Sequence, residues 1–375
     1  MKICHIINSL GNGGAEKNLI RLSLSQSKTN DIVIVILKKK NFFKEILKKN
    51  KIRVITFNFN FNLNLLDNLI GFFSTLKKEK PDLLFSWMFH ACLFSSFFAW
   101  EKKIRLFWCI RHGSFEAMKT KFLTMIIAKY ILPTISFVPS KIIYNSKFSK
   151  KYYEKIGYSK NKSLVIYNGY SKNYFKPNKN KQIQFKKKYD IKKNDIIFGY
   201  VARFSPQKNH ILLLKVMNKL KCNYKLNFKL ILIGGNIKNN KILNKLLKKF
   251  YLINETIILK ETNRINLIYP VFDINLLCSS YGESFPNTLA ESMLCEVPCI
   301  SSNVGDSKEI VKKKRYIFEK NNENEFLKSI IKGLKDRSDD LKWKTIKVNC
   351  RIHINKCFNI RKMISMYDDA LNKKY

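Results

Sequence analysis

The chain has 375 residues, about twice the usual domain length, so two domains are the first expectation. With 46% hydrophobic and 13% aromatic residues, and only 13 Gly and 8 Pro, the composition excludes disordered, fibrous and collagen-like chains. Lys and Arg total 71 against 27 Asp and Glu, a formal charge of +44 that in isolation suggests a polyanion partner. The excess is nearly all Lys, spread from end to end beside heavy use of Asn, Ile, Phe and Tyr. These residues have A/T-rich codons, so genome composition accounts for it better than nucleic-acid recognition, for which Arg is the better reader.

The first expected strand covers residues 2–8; its apolar run ends at Asn8-Ser9 and is too short for the core of a signal peptide. It leads into Gly11-Asn12-Gly13-Gly14-Ala15-Glu16-Lys17, a glycine-rich turn opening a helix. Missing Cβ atoms let backbone approach a phosphate or sugar there, and a helix N-terminus favours an anion. The dinucleotide fingerprint is excluded because its third glycine would fall at Glu16; a plain strand-to-helix turn remains the alternative. Strands follow at 32–37 and 53–57, and the Asn/Phe segment 57–66 reads as a loop. The longest apolar stretch, 83–100, approaches membrane-span length, but Ser86, His90, Ser95 and Ser96 dilute it. Opened by Pro81-Asp82, it predicts a strand at 82–87 followed by a helix. Strands at 105–110 and 141–144 complete the first half.

Residues 171–188, with Pro177 amid Asn and Lys, read as a linker. The next strand, 196–202, runs into Arg203-Phe204-Ser205-Pro206-Gln207-Lys208. Two cations five residues apart at the carboxyl end of a parallel strand lie where open α/β sheets bind ligands, and they could neutralise a diphosphate. Solvated surface charge is the alternative, weaker for Arg203 because Arg is scarce. Strands at 228–234, 256–259 and 274–278 precede the most informative stretch, Ser279 through Met293. There Glu283 precedes a Phe-Pro-Asn turn that starts a helix, and Glu291 falls inside that helix, with amides at Asn287, Thr288 and Leu289 facing any anion at its mouth. Carboxylates accept from sugar hydroxyls and amides donate to phosphates, so this one element suits a sugar nucleotide. Strands at 298–301 and 315–318 and a packing helix at 357–371, with Ile360, Met363, Ile364, Tyr367 and Ala370 on one face, close the chain. Continuous Val/Ile/Leu runs suit parallel strands covered on both faces, so the class is α/β with two doubly wound domains. Nine scattered Cys fit a reducing compartment, and five His without i, i+4 pairing, no C-x-x-C and no Asp-x-Asp give no expectation of a metal site.

Glu283 and Glu291 with seven residues between them, Arg203 and Lys208 upstream, and Gly13-Gly14-Ala15-Glu16 near the start make the chain resemble the retaining glycosyltransferases of the GT-B fold, specifically family 4. Ser86-Trp87-Met88-Phe89-His90, Ile110-Arg111-His112-Gly113, Val138-Pro139-Ser140, Ile166-Tyr167-Asn168-Gly169 and Val304-Gly305-Asp306 extend the resemblance along essentially the whole chain. It implies two Rossmann-like domains facing each other across a cleft. Residues 1–175 would form an acceptor-side domain and 176–355 a nucleotide-sugar domain, with 356–375 packing back on the first. Glu291 would bind ribose and Glu283 the sugar, Arg203 and Lys208 would stabilise the departing diphosphate without a metal, His112 would sit near the transferred sugar, and Gly13-Gly14 would approach the phosphates. Ser284 stands where many relatives have glycine, a departure that bears on the sugar specificity rather than on the reaction.

The implied reaction is transfer from a nucleotide-diphosphate sugar to a glycan or lipid-linked acceptor in bacterial surface polysaccharide assembly, with no cofactor or nucleic-acid partner and a cytoplasmic location. A sugar-nucleotide epimerase is one alternative; a basic polyanion or membrane-surface binder without catalysis is another, which leaves Glu283, Glu291 and Arg203 unexplained. Residues 119–137, with three lysines in an apolar and aromatic stretch, suggest peripheral contact with anionic lipid at the inner membrane face; a buried helix is the plainer alternative.

Overall fold

The computed structural model describes residues 1–11, 13–59, 65–115 and 122–372. Asn12 of the glycine-rich turn, residues 60–64 of the Asn/Phe segment and Lys119 to Lys121 of the basic apolar stretch lie outside the described residues. The chain divides into two compact units, the first formed by 1–168 with 361–375 and the second by 169–360.

Unit 1 is built on β1 (Lys2–Ile7), β2 (Asp31–Ile36), β3 (Arg53–Thr56), β4 (Leu83–Trp87), β5 (Arg105–Ile110), β6 (Lys141–Tyr144) and β7 (Ser163–Val165). All pair in parallel in the order β3-β2-β1-β4-β5-β6-β7. Unit 2 repeats the plan with β8 (Ile196–Val201), β9 (Phe228–Gly234), β10 (Thr256–Lys260), β11 (Ile274–Leu277), β12 (Cys299–Ser302) and β13 (Ile317–Phe318), in the order β10-β9-β8-β11-β12-β13. Central strands β1 and β4 are buried almost throughout, as parallel strands covered on both faces require. Each sheet reverses its strand order once, between β1 and β4 and between β8 and β11. In open α/β sheets the carboxyl ends of the strands flanking such a reversal are where ligands bind.

Twelve strands fall where the apolar runs place them. β7 was not foreseen, since three half-buried residues at a sheet edge carry no apolar run. The apolar stretch 83–100 is β4 followed by the helix Phe89–Lys102, and among the described residues no helix is long and apolar enough to cross a membrane. The expected linker 171–188 is different: its second half is the helix Lys179–Lys188, started by Asn178, whose side chain accepts from the Lys181 amide. The division between units falls instead after Asn168 and again after Ile360. The expected C-terminal helix at 357–371 runs as Ile360–Asn372, and a separate helix, Asp340–Cys357, precedes it across a break at Phe358-Asn359. At the break the backbone turns outward to pair with Tyr170, whose amide donates to the Phe358 carbonyl at 2.9 Å while the Ile360 amide donates to its carbonyl at 3.0 Å. The last helix belongs to unit 1, where Arg105 donates to the Leu371 carbonyl at 2.9 Å.

Two buried histidines tie stability to pH. His5, inside unit 1, donates from Nε2 to Gln26 at 2.8 Å and accepts at Nδ1 from the Trp87 indole at 3.1 Å, so both ring nitrogens are satisfied only in the neutral tautomer. His210, in unit 2, lies between the Tyr200 and Phe204 rings, and neither ring nitrogen has a hydrogen-bond partner among the described residues. Burial pushes both down to about 4 from the usual 6.5. The unfolded chain therefore takes up these protons first. Stability is full above pH 6.5 and declines as pH falls to about 4, by roughly 3 kcal/mol for each ring over that window. Urea midpoints should fall steadily from pH 7 to pH 4.5, and less so in His210→Gln; equal falls in both proteins would exclude His210 as a source.

Candidate active site

In unit 2, β8 ends in an extended loop, a short turn at Pro206–Lys208 and the helix His210–Cys222. Asn209 makes the corner with a left-handed backbone (φ 47°), and its side chain accepts from the Leu212 amide at 3.1 Å, which starts that helix. The same side chain donates to Ser280 Oγ at 3.0 Å, and the Ser280 amide donates to the Gln207 carbonyl at 2.8 Å. These bonds lace the loop after β8 to the loop after β11, on either side of the point where the strand order reverses.

Lys208 and Glu283 meet there. Lys208 Nζ donates to Glu283 Oε1, which also accepts from Ser279 Oγ at 2.8 Å. The pair is mostly buried, with side chains 17% and 10% exposed, so its attraction is screened less than that of a surface pair. Arg203 stands exposed on the same loop and donates to Gln207 Oε1 at 3.3 Å. The Glu283 loop is braced from a third side. The Asp306 amide, after β12, donates to the Ser284 carbonyl at 2.9 Å, and Gly305 before it has φ +53°.

The helix Asn287–Leu294 starts after Pro286 with no side-chain cap. Of the three amides read from the sequence as facing an anion, that of Leu289 turns back to the Pro286 carbonyl at 3.2 Å, whereas that of Thr288 has no partner among the described residues. Asn287 Oδ1 accepts from the Tyr170 hydroxyl. One turn in, Glu291 is buried and accepts from the Tyr269 hydroxyl at 3.0 Å, with burial and the adjoining carboxylate holding that phenol well above its ordinary range. A buried carboxylate with a neutral donor beside it keeps acceptor capacity for further hydroxyls.

In unit 1 the glycine-rich turn follows β1. Gly13, extended at φ −87°, precedes the helix Gly14–Gln26. The Glu16 side chain folds over it, so that a Cβ on Gly13 would stand 2.4 Å from Glu16 Oε2. An anion reaching this helix mouth has to displace that carboxylate. His112, after β5, stacks on Phe115 at 4.5 Å and shares a 3.0 Å hydrogen bond with the Tyr153 hydroxyl. Asn168 is buried and accepts from Arg111 at 3.5 Å. Among the described residues no three His, Cys, Asp or Glu side chains gather as a metal-ligand set.

Residues 12–173 match the family described as Glycosyltransferase Family 4, and residues 181–347 match Glycosyl transferases group 1. The chain belongs to glycosyltransferase family 4. Among solved structures it is similar to Anabaena HepE in complex with UDP-glucose, with a TM-score of 0.85 at 19% identity over 99% of both chains, a likeness that carries the GT-B fold. Among curated relatives, the UDP-Gal:alpha-D-GlcNAc-diphosphoundecaprenol alpha-1,3-galactosyltransferase of Escherichia coli is 23% identical over 311 residues, 81% of this chain and 78% of that protein. The Bacillus subtilis glycosyltransferase EpsF is 31% identical over 139 residues, so the match covers only 37% of this chain and 35% of that relative.

Several participants in this family 4 site were not legible beforehand. Ser279 lies inside the informative stretch but has no chemistry until the chain folds it onto Glu283. Tyr170 and Tyr269 reach Asn287 and Glu291 from distant segments. Met88, at the carboxyl end of β4, holds φ 71° and ψ 171°, a backbone region nearly exclusive to glycine. It opens the helix carrying His90, whose Nδ1 lies 3.3 Å from Asn8 Nδ2. Only the motif containing Met88 and His90 was a signal for this corner.

Proposed function

We propose that the chain transfers a hexose from a nucleotide-diphosphate sugar to a glycan or lipid-linked acceptor, with retention and without a metal, in surface polysaccharide assembly. The observation that carries this reading is the pairing of Lys208 with Glu283 at the switch point of unit 2, with Arg203 on the same loop. Fixed cations placed where a diphosphate departs perform electrostatically what a divalent ion would otherwise do. A donor phosphate competes with Glu283 for Lys208, which releases the Glu283 carboxylate toward the sugar as positive charge develops on it. Glu291 accepts from the ribose hydroxyls in ground and transition states alike. The UDP-glucose bound by the HepE homologue and the galactosyl transfer by the E. coli relative support a nucleotide-sugar donor.

A thermal-shift series with UDP-, GDP- and ADP-sugars identifies the donor, because a ligand bound only by the native state raises the midpoint. With that donor, turnover should persist in EDTA, and the new glycosidic bond should keep the donor's anomeric configuration by proton coupling. Loss of turnover on chelation, restored by manganese, or an inverted product would overturn this mechanism.

The lipid-linked acceptor would be met at a membrane surface. Unit 1 exposes Phe97, Trp100 and Phe137, with the last two rings edge to face at 5.2 Å, beside exposed Lys102 and Lys103. Exposed aromatics next to lysines suit an anionic interface. The protein should sediment with phosphatidylglycerol vesicles at low salt and less at high salt. Equal recovery in the supernatant with anionic and neutral vesicles, at both salt concentrations, would remove the membrane from this reading.

A further inference from the structure

A second concave, strongly basic site lies in unit 2 at the other end of the sheet from Lys208 and Glu283. The turn Lys314–Tyr316 leads into β13, so this pocket is at the amino ends of the strands, whereas the active-site loops leave their carboxyl ends. It has a volume of about 410 Å³ and presents four cations: Lys314 and Arg315 from the turn, Lys328 and Lys332 from the helix Glu323–Arg337.

Three features set it apart from the lysine-rich surface elsewhere. Lys314, Lys328 and Lys332 have no hydrogen-bonded or ion-paired partner among the described residues, and Lys328 and Lys332 stand four apart on one helical face, where like charges repel. The one acid on the wall, Glu325, is already engaged: its oxygens accept from the Glu319 amide at 2.7 Å and from Asn322 Nδ2 at 3.1 Å. Arg315 is fixed rather than solvated. Its Nη2 donates at 2.7 Å to Asp336 Oδ1, and that buried carboxylate also takes the Tyr316 hydroxyl at 2.7 Å and Lys342 at 2.9 Å. Burial opposes ionisation of Asp336, but hydrogen bonds from Tyr316, Lys342 and Lys313 outweigh it and hold the carboxyl at about 2, so the carboxylate that anchors Arg315 stays ionised at any working pH. Finally, Ser329 lines the pocket while only 4% exposed, and its hydroxyl has no partner among the described residues. In the same wall Arg315 Nε is buried with no hydrogen-bond partner among the described residues, which leaves a donor open to an oxyanion.

We propose that this pocket binds a phosphate or diphosphate group, with Arg315 and Ser329 as oriented donors and Lys314, Lys328 and Lys332 supplying charge. Phosphate oxygens accept several donors at once and match the fork of an anchored guanidinium. The site is independent of the donor pocket and accepts the group either from a soluble phosphorylated compound or from a lipid headgroup.

Hydrogen-exchange mass spectrometry on the full chain resolves the two sites by peptide. Inorganic pyrophosphate should slow exchange across residues 314–332, separately from any effect at 203–209 and 279–291. Lys328→Gln with Lys332→Gln, both at exposed positions, should weaken that protection at least about tenfold, each lost charged contact being worth about that factor. Ser329→Ala should weaken it further, while Lys248→Gln with Lys249→Gln, an exposed pair on another helix, should leave it intact. Protection by phosphatidylglycerol vesicles but not by pyrophosphate would assign the headgroup as the source, and the reverse a soluble compound. No protection at 314–332 from either probe, or equal weakening by the two lysine pairs, would overturn the proposal.

Discussion

Replacing Lys208 with alanine is expected to slow transfer by on the order of 10² or more, the loss typical of one fixed donor at a developing negative charge. Glu283→Ala should lower kcat by a similar order while leaving the donor KM nearly unchanged, since a contact that strengthens only as charge develops contributes little to ground-state binding. Lys208 Nζ and Glu283 Oε1 are hydrogen-bonded across 75 residues of sequence in a mostly buried pair, so the two losses should not add. With Glu283 gone, Lys208 is freed for the phosphates, and free nucleotide diphosphate should bind at least as tightly by isothermal titration. With Lys208 gone, the mostly buried Glu283 carboxylate keeps only the Ser279 hydroxyl as a side-chain donor among the described residues, and unfolding midpoints should drop as well. A Lys208→Ala enzyme retaining kcat within about threefold would reduce the ion pair to a packing feature and remove the electrostatic account of catalysis.

Gly305→Ala should be nearly as damaging although it removes no reactive group. Gly305 has φ +53°, and a Cβ there would lie 2.3 Å from the Ser284 carbonyl oxygen and 2.7 Å from that of Glu283. Both obstacles are backbone, so relief requires moving the loop that positions Glu283. The left-handed conformation adds about 1 kcal/mol and the overlap about 1 to 3 more. A shift near 1 Å in a catalytic group can reduce turnover by about 10². Gly235→Ala is the matched control, because a Cβ there would meet nothing nearer than 3.5 Å, at the end of the Glu261 side chain. The expected result is kcat reduced at least about tenfold in Gly305→Ala, with wild-type kcat in Gly235→Ala. Equal kcat in both would show that the loop after β12 does not hold Glu283 in place.

What could be read from residue order alone is local. Apolar runs such as Ile32 to Leu37 and Phe228 to Gly234 identify parallel strands because burial on both faces leaves no polar alternation. Glycine and asparagine corners identify where loops leave those strands, and Glu283 with Glu291 is legible as a pair because one short helix start separates them. The resemblance to family 4 extended that reading to the whole chain, and the matches at 12–173 and 181–347 agree with it.

Everything decided by which strand lies beside which was hidden. β8 and β11 are neighbours although two α-helices and the strands β9 and β10 separate them in sequence, and only that adjacency brings Lys208 onto Glu283. The Tyr170 backbone pairs with Phe358 and Ile360 at the break between the last two helices, a contact between segments far apart in sequence. Arg315, Asp336 and Lys342 converge from a turn and two helices into a site that no spacing of residues announces. The sequence by itself therefore determined the elements, the order of the chemistry-bearing loops and the family, through forces that act within a few residues. Only the tertiary structure decided the partners of each charge, because Coulomb and hydrogen-bond energies depend on separations of a few ångströms that sheet order, not chain distance, sets.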